Sequence, residues 1–226
     1  YRSKSANVHV HMQFMLNRVM ALGVGTPWEY IRVKPKLSPY VELDGNNKQY
    51  QSFFYYGLNT VDRKLYPTRG AQIQLEGGVV YGQNPDIRLR EMGEDLPLDS
   101  LGYNFNDYQR LTLKMNYYFP LSRKSTLNLN GYAGFNFNYD LELLNDFMIG
   151  GVTDFSRNQI PFAGLYDGEI NTSSVAAIQL GWQYELLRNV FVIPRANAAV
   201  YDLNGKASPK YQYVTGYGIT AGFASG

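Results

Sequence analysis

The sequence has no cysteine, only two tryptophans and two histidines, and no apolar run long enough for a membrane-spanning helix. Without cysteine, disulfide frameworks and thiolate metal sites are excluded. Without about eighteen consecutive apolar residues, a helical span is excluded as well. Neither sign of charge dominates: 21 Lys and Arg against 19 Asp and Glu leave a net +2. No strong field therefore points to nucleic acid or to an acidic partner. Mean hydropathy is slightly negative, which suits a soluble protein. It suits a transmembrane barrel equally, because every second strand residue there faces lumen water. What the chain does have in quantity is tyrosine, 20 residues, with 22 glycines beside them. Tyrosine joins an apolar ring to a polar tip and fits the headgroup boundary, where barrels carry aromatic girdles. A tyrosine-rich soluble sandwich has the same composition, so pattern must separate the two.

Strand side chains alternate between faces with period two. Leu127, Leu129, Gly131, Ala133, Phe135, Phe137 and Tyr139 share one face, against Asn128, Asn130, Tyr132, Gly134, Asn136 and Asn138. Leu111, Leu113, Met115, Tyr117 and Phe119 oppose Arg110, Thr112, Lys114, Asn116 and Tyr118. Ile73, Leu75, Val79 and Tyr81 oppose Gln72, Gln74 and Glu76. Val8, Val10, Met12, Phe14 and Leu16 oppose Asn7, His9, His11, Gln13 and Met15. Ile178, Leu180, Trp182, Tyr184 and Leu186 oppose Gln179, Gly181, Gln183 and Glu185. Weaker signals at 19–33, 50–60, 141–149, 190–201 and 213–223 bring the expected number to roughly ten strands.

Connections alternate in length. Residues 119–125 and 187–189 make tight turns, whereas 83–106 and 140–173 are long links. Short turns at one end and long loops at the other are the habit of a membrane barrel. The strands run to ten residues or more, enough to cross a bilayer at a tilt. Soluble strands typically run about five or six. A two-sheet sandwich would hide its apolar stripe in one core, and a lipocalin-like barrel would turn it inward. The expected fold is all-β, an antiparallel transmembrane β-barrel. Residues 1–226 are expected to form one barrel domain truncated at both ends: no secretion signal opens the chain, and 213–226 stop in or just after a strand. An open row of ten strands would leave two unpaired edges in hydrocarbon. Further strands, or copies joined as a homodimer, are expected to complete it.

Four segments together resemble a known family. Asp62-Arg63-Lys64-Leu65-Tyr66-Pro67-Thr68-Arg69-Gly70 resembles the D-x-x-x-x-P-x-x-G turn of Omp85-type bacterial surface antigen barrels. Pro67 presets φ there and Gly70 allows positive φ. The span 108–135, Phe147-Met148-Ile149-Gly150-Gly151, and Tyr217-Gly218-Ile219-Thr220-Ala221-Gly222-Phe223 resemble the family's following strand pair, the start of its lumen loop, and its Gly-rich late strand. The resemblance implies a barrel of roughly 16 strands, of which this chain is a fragment, in the bacterial outer membrane.

Within that superfamily, Gly150-Gly151 followed by Asn158-Gln159-Ile160-Pro161-Phe162-Ala163-Gly164-Leu165 is similar to the lumen loop of Bacteroidetes patatin-like phospholipases. That likeness implies a membrane anchor and translocation barrel for a lipid hydrolase lying upstream. The assembly and secretion branches show a Val-Arg-Gly-Phe/Tyr tetrad in this loop. Here Arg157 is followed by Asn158, and Gly181 and Ala196 stand near the places expected for acidic partners. Assembly or translocation of polypeptides is the alternative function, and a porin-like barrel a third.

Within the chain no catalytic residue is expected. Gly-x-Ser-x-Gly does not occur, and turn chemistry accounts for Asp44-Gly45 and Asp167-Gly168. His9 and His11 share a face and could offer two metal ligands, but polar lumen lining is the better account. No metal and no cofactor are expected. Arg157 could pair with Glu76, Glu185 or Asp202 in the lumen and fix the loop. Arg88, Arg90, Glu91, Glu94 and Asp95 are expected in a solvated loop, and Trp28 and Trp182 in the interfacial girdle. The lumen-loop site is thus Gly150, Gly151, Arg157, Asn158, Pro161, Phe162 and Gly164. The turn motif is Asp62, Pro67, Arg69 and Gly70. Outer-membrane lipids are the expected partners, with no nucleic acid.

Overall fold

The computed structural model describes residues 2–34, 41–91, 94–96, 105–139, 146–152, 158–202 and 211–224. Nine strands follow one another in a single antiparallel sheet in the order β1 (Arg2–Met15), β2 (Met20–Lys34), β3 (Val41–Asn59), β4 (Gly70–Glu91), β6 (Tyr108–Ser122), β7 (Ser125–Phe137), β11 (Ser174–Leu187), β12 (Val190–Asp202) and β13 (Tyr211–Phe223). The short β5 (Glu94–Leu96) pairs with β4. A second sheet of three short strands, β10-β8-β9, is built from β8 (Phe147–Ile149), β9 (Gln159–Ile160) and β10 (Ile170–Thr172). There is no helix among the described residues. Strands β1 and β13 are the two edges of the large sheet, so it is open.

The alternating stripes sort onto the faces as period two requires. On the apolar face Val10 is 64% exposed, Met12 60%, Ile178 52% and Leu180 48%. On the other face Asn128, Gln183 and Asn197 are buried. A soluble protein does not expose so continuous an apolar face. Leu113 and Phe135 lie on this outer face and are exposed, not packed between two sheets. The polar stripe holds itself together across strands. Glu29 accepts from Gln49 and Gln51, and Asn130 donates to Gln179 at 3.0 Å.

Aromatic side chains gather on the outer face near each rim. Trp28 with Tyr30, Tyr50 with Tyr81, and Phe135 with Phe137 mark the long-loop rim. Trp182 with Tyr184, and Tyr117 with Phe119, mark the short-turn rim. Phe119 pairs with Leu127, and Leu127 and Phe137 are ten residues apart on β7. At about 3.4 Å per residue and a tilt of about 40° the girdles stand roughly 25 Å apart, the height of an outer-membrane apolar band.

Three expectations need correction. Of the signal at 141–149, residues 141–145 lie outside the described residues, and Phe147–Ile149 form β8 of the inner sheet rather than a wall strand. The link 83–106 is not all loop, because β4 runs on to Glu91 and turns back through β5. Its register runs from Val41↔Glu91 through Asp44↔Arg88, so this stretch is a ladder with β3. For the same reason Asp44-Gly45 lies within β3 and makes no turn.

Candidate functional site

The link between β7 and β11 folds back against the inner face of the sheet. Its apolar residues make a buried cluster, Phe147, Ile149, Ile160 and Phe162 against Val175, Ala199 and Tyr201 of the wall. Phe147 is fully buried, and it fits because Gly134 of β7 has no side chain: a Cβ there would stand 2.7 Å from the ring. Gly216 of β13 leaves room in the same way for Ala163 and Phe162. Burying such side chains contributes about 1.5–3 kcal/mol each, so this contact sets the loop's position.

Gly150 and Gly151 make the sharp reversal that closes the inner sheet, at φ 137° and 82°. At Gly151 a side chain would also collide with the Asp167 carboxylate. Gly150 N donates to Ile160 O at 3.0 Å, and Phe162 N to Gly151 O at 2.7 Å. Gln159 locks the reversal, its Nε2 donating to Gly150 O at 3.0 Å and to Asp167 Oδ1 at 3.3 Å. Pro161 faces the lumen beside the wall, and Gly164 (φ 98°) lies against the backbone of Gly216 and Tyr217. Six of the seven expected site residues, Gly150, Gly151, Asn158, Pro161, Phe162 and Gly164, are thus brought together on this loop. Arg157 lies outside the described residues.

The arginine that meets the loop comes from the wall. Arg110 of β6 donates from Nη1 to Asn158 Oδ1 at 3.0 Å and from Nε to Asn136 Oδ1 at 2.9 Å. Its guanidinium stands 5.1 Å from the Phe147 ring centre and 5.5 Å from that of Tyr108. Asp202, one of the carboxylates considered for Arg157, instead fixes the loop's far end. It accepts from Thr172 Oγ1 at 2.8 Å, Ser173 Oγ at 3.1 Å and Ser174 N at 3.0 Å. Glu185 serves a turn, accepting from Asn189 N. Gly181 lies inward beside Asn128, and Ala196 faces outward. At the near end of the loop, burial pushes the Asp146 carboxyl up to about 6. A hydrogen bond from Tyr139 OH at 2.7 Å and the Arg110 charge oppose that rise, and Asp202 adds to it.

The turn motif closes the opposite rim. Asp62 Oδ1 accepts from Thr68 N at 2.9 Å and Arg69 N at 3.3 Å, and its second oxygen accepts from Thr68 Oγ1. Burial raises this carboxyl, but those hydrogen bonds and Arg63 outweigh it and hold Asp62 below its ordinary value. Gly70 takes φ 106°, where a side chain would strike Thr60. Tyr66, just before Pro67, reaches across to the far wall. It stacks on Phe191 at 4.2 Å and lies in the space Gly222 leaves open. Gln183 of β11 donates to Tyr66 O and Pro67 O, each at 3.3 Å. Sequence reasoning missed Arg110, Gln183, Asn197 and Tyr66. The available signal was glycine on the inward stripe at 134, 216 and 222, small wall positions awaiting bulky partners.

His9 and His11 stand on the inner face, 5.0 Å apart by ring centres, with Phe53 5.4 Å from His9. Among the described residues no group of three or more candidate ligands forms a metal site. A polar face, an apolar belt of bilayer height and a loop folded against the inner face together define part of an outer-membrane β-barrel wall.

The particular family follows: the chain belongs to the OMP85 superfamily, whose profile matches residues 2–225, and is a protein of the bacterial outer membrane. Among solved structures it is similar to CdiB from Acinetobacter baumannii, at 16% identity and a TM-score of 0.46. That match covers 96% of this chain and 44% of the other, so the chain spans less than half of that structure's length. No curated protein matches.

Proposed function

We propose that this segment is the membrane anchor and gated barrel of a patatin-like lipid hydrolase whose catalytic domain precedes it. One observation carries the reading: the plug is built on Gly150-Gly151 and residues 158–165, the stretch similar to the lumen loop of patatin-like phospholipases. Where the assembly and secretion branches carry a Val-Arg-Gly-Phe/Tyr tetrad, this chain has Asn158, and Asn158 accepts from the wall residue Arg110. The contact is thus made with the donor and acceptor exchanged between loop and wall. In this reading outer-membrane lipids solvate the apolar face, the plug keeps the lumen shut, and ester hydrolysis belongs to a Gly-x-Ser-x-Gly serine upstream.

The test is the full reading frame with an assay. A Gly-x-Ser-x-Gly domain upstream is expected. Outer membranes carrying the full protein should hydrolyse a fluorogenic phospholipid and lose that activity when the serine becomes alanine. Repeated small periplasmic domains upstream, with no hydrolysis, would overturn the proposal in favour of polypeptide assembly or translocation.

A further inference from the structure

Between the plug and the wall lies a cavity of about 310 Å³. The wall supplies Lys114, Asn116, Asn130, Gln179, Arg195 and Asn197, and the plug covers it with Ile160 and Phe162. Its lining therefore carries two cations and four amides, and among the described residues no carboxylate. Its volume falls at the lower end of the range for small-ligand sites.

Two groups on β12 give the cavity its specificity. Arg195 Nε makes no hydrogen bond among the described residues, and neither does the Oδ1 of Asn197. The Asn197 amide has only one sensible orientation, because its Nδ2 donates to Ala163 O at 3.1 Å. Oδ1 is therefore the atom left to accept. Residues 195 and 197 are two apart on one strand face, which sets them about 6–7 Å from each other. A buried donor and a buried acceptor left without partners keep the cost of losing water, and a ligand that satisfies them relieves it. One ligand satisfies both if it carries an anion and, a few ångströms away, a hydroxyl or ammonium donor. Arginine meets phosphate oxygens with charge-assisted bonds, and Ile160 and Phe162 offer apolar contact to the carbons between the two ends.

We propose that this lumen cavity binds a phosphate ester bearing a hydroxyl or ammonium group, with its phosphate on Arg195 and its donor on Asn197. Phospholipid headgroups and soluble glycerophosphodiesters share that chemistry. The site needs only the barrel and its plug, so it stands whether or not a hydrolase domain precedes them.

The experiment is calorimetric titration of the full-length protein in an uncharged detergent. The probes are glycerophosphoethanolamine, dihexanoyl phosphatidylethanolamine and sulfate. Saturable binding of either ester is expected, weakened about tenfold or more in Arg195→Gln, as the loss of one charge-assisted contact requires. Ala177→Leu fills the cavity without altering its charge and should weaken binding as well. It decides the matter if Arg195→Gln fails to give the native circular dichroism. Binding of the soluble ester identifies a soluble source, and binding of the lipid alone identifies the membrane. Sulfate bound as tightly as the esters would show an adventitious ion only and overturn the proposal. So would no saturable binding, or equal affinity in the wild type and the folded variants.

Discussion

Asp62 and Asp146 titrate in opposite directions, because a turn donates hydrogen bonds to one and the plug strips water from the other. The turn donors favour the charged form of Asp62, so its contribution to stability is present above the ordinary aspartate value, about 3.9, and is lost as pH falls through the lower folded value. Asp62→Ala should speed hydrogen exchange of the Thr68 and Arg69 amides at pH 7, with the wild type approaching the same rates only in strong acid. Unchanged rates at pH 7 would show that Pro67 and Gly70 hold the turn without the carboxylate. Asp146 keeps its proton in the folded protein to about pH 6, whereas the unfolded chain releases it near 3.8. Folding is therefore penalised progressively as pH rises between those values, and the penalty persists above them. At full strength that gap corresponds to about 3 kcal/mol, and solvent reaching the carboxyl reduces it to about 1–2 kcal/mol. Asp146→Asn keeps an acceptor for Tyr139 and removes the ionisation. Amide exchange at Met148 and Gly150 should slow about tenfold at pH 7.5 and change little at pH 4. Faster exchange at pH 7.5 would mean that attraction to Arg110 outweighs burial.

The infolded loop is the element that the proposed gating rests on, and it was only half legible in the sequence. Gly150-Gly151 and residues 158–165 pointed to an infolding loop through their resemblance to the family's lumen loop, and the structure supplies the physical reason: paired glycines permit positive φ, and apolar Ile160 and Phe162 need a partner. Where it docks was not legible. Asn197 and Gly216 face each other on the paired strands β12 and β13, but Arg110 lies far off on β6, and no local signal ties either place to this loop. The wall strands were readable for the opposite reason: period two is a local property, and two solvents enforce it at every residue. Local signals failed where strand pairing overrode them, as at Asp44-Gly45, whose turn preference yields to β4 across a long ladder. If the cluster around Phe162 holds the plug, Phe162→Ala should weaken its attachment by about 3–4 kcal/mol. In planar bilayers the full-length variant should open more often and conduct more than the wild type. Identical traces would assign closure to the Arg110–Asn158 and Asp202 contacts.

At the scale of the whole molecule the organising fact is that the apolar surface lies outside and the polar surface inside, the inverse of a soluble barrel. That inversion explains why hydropathy looks soluble while the outer face is oily: half of each strand is written for enclosed water. It also places the tryptophans. Trp182 stands near the short-turn rim, its indole N–H donating to Ser125 Oγ, and Trp28 stacks with Tyr30 near the long-loop rim. An indole with an apolar ring and a polar N–H settles at the headgroup boundary. The two should therefore sit at similar shallow depth in opposite leaflets. Full-length protein retaining one of these tryptophans at a time, with the others replaced by phenylalanine, can be reconstituted in lipids brominated at chosen acyl depths. Each tryptophan should be quenched most by bromines near the headgroups, and a quencher confined to one leaflet should reach only one of them. Strongest quenching of either by bromines at the bilayer centre would mean that the girdles do not mark the membrane boundaries. The roughly 25 Å span between them would then lose its meaning, since only a band of bilayer height separates this wall from a merely sticky sheet.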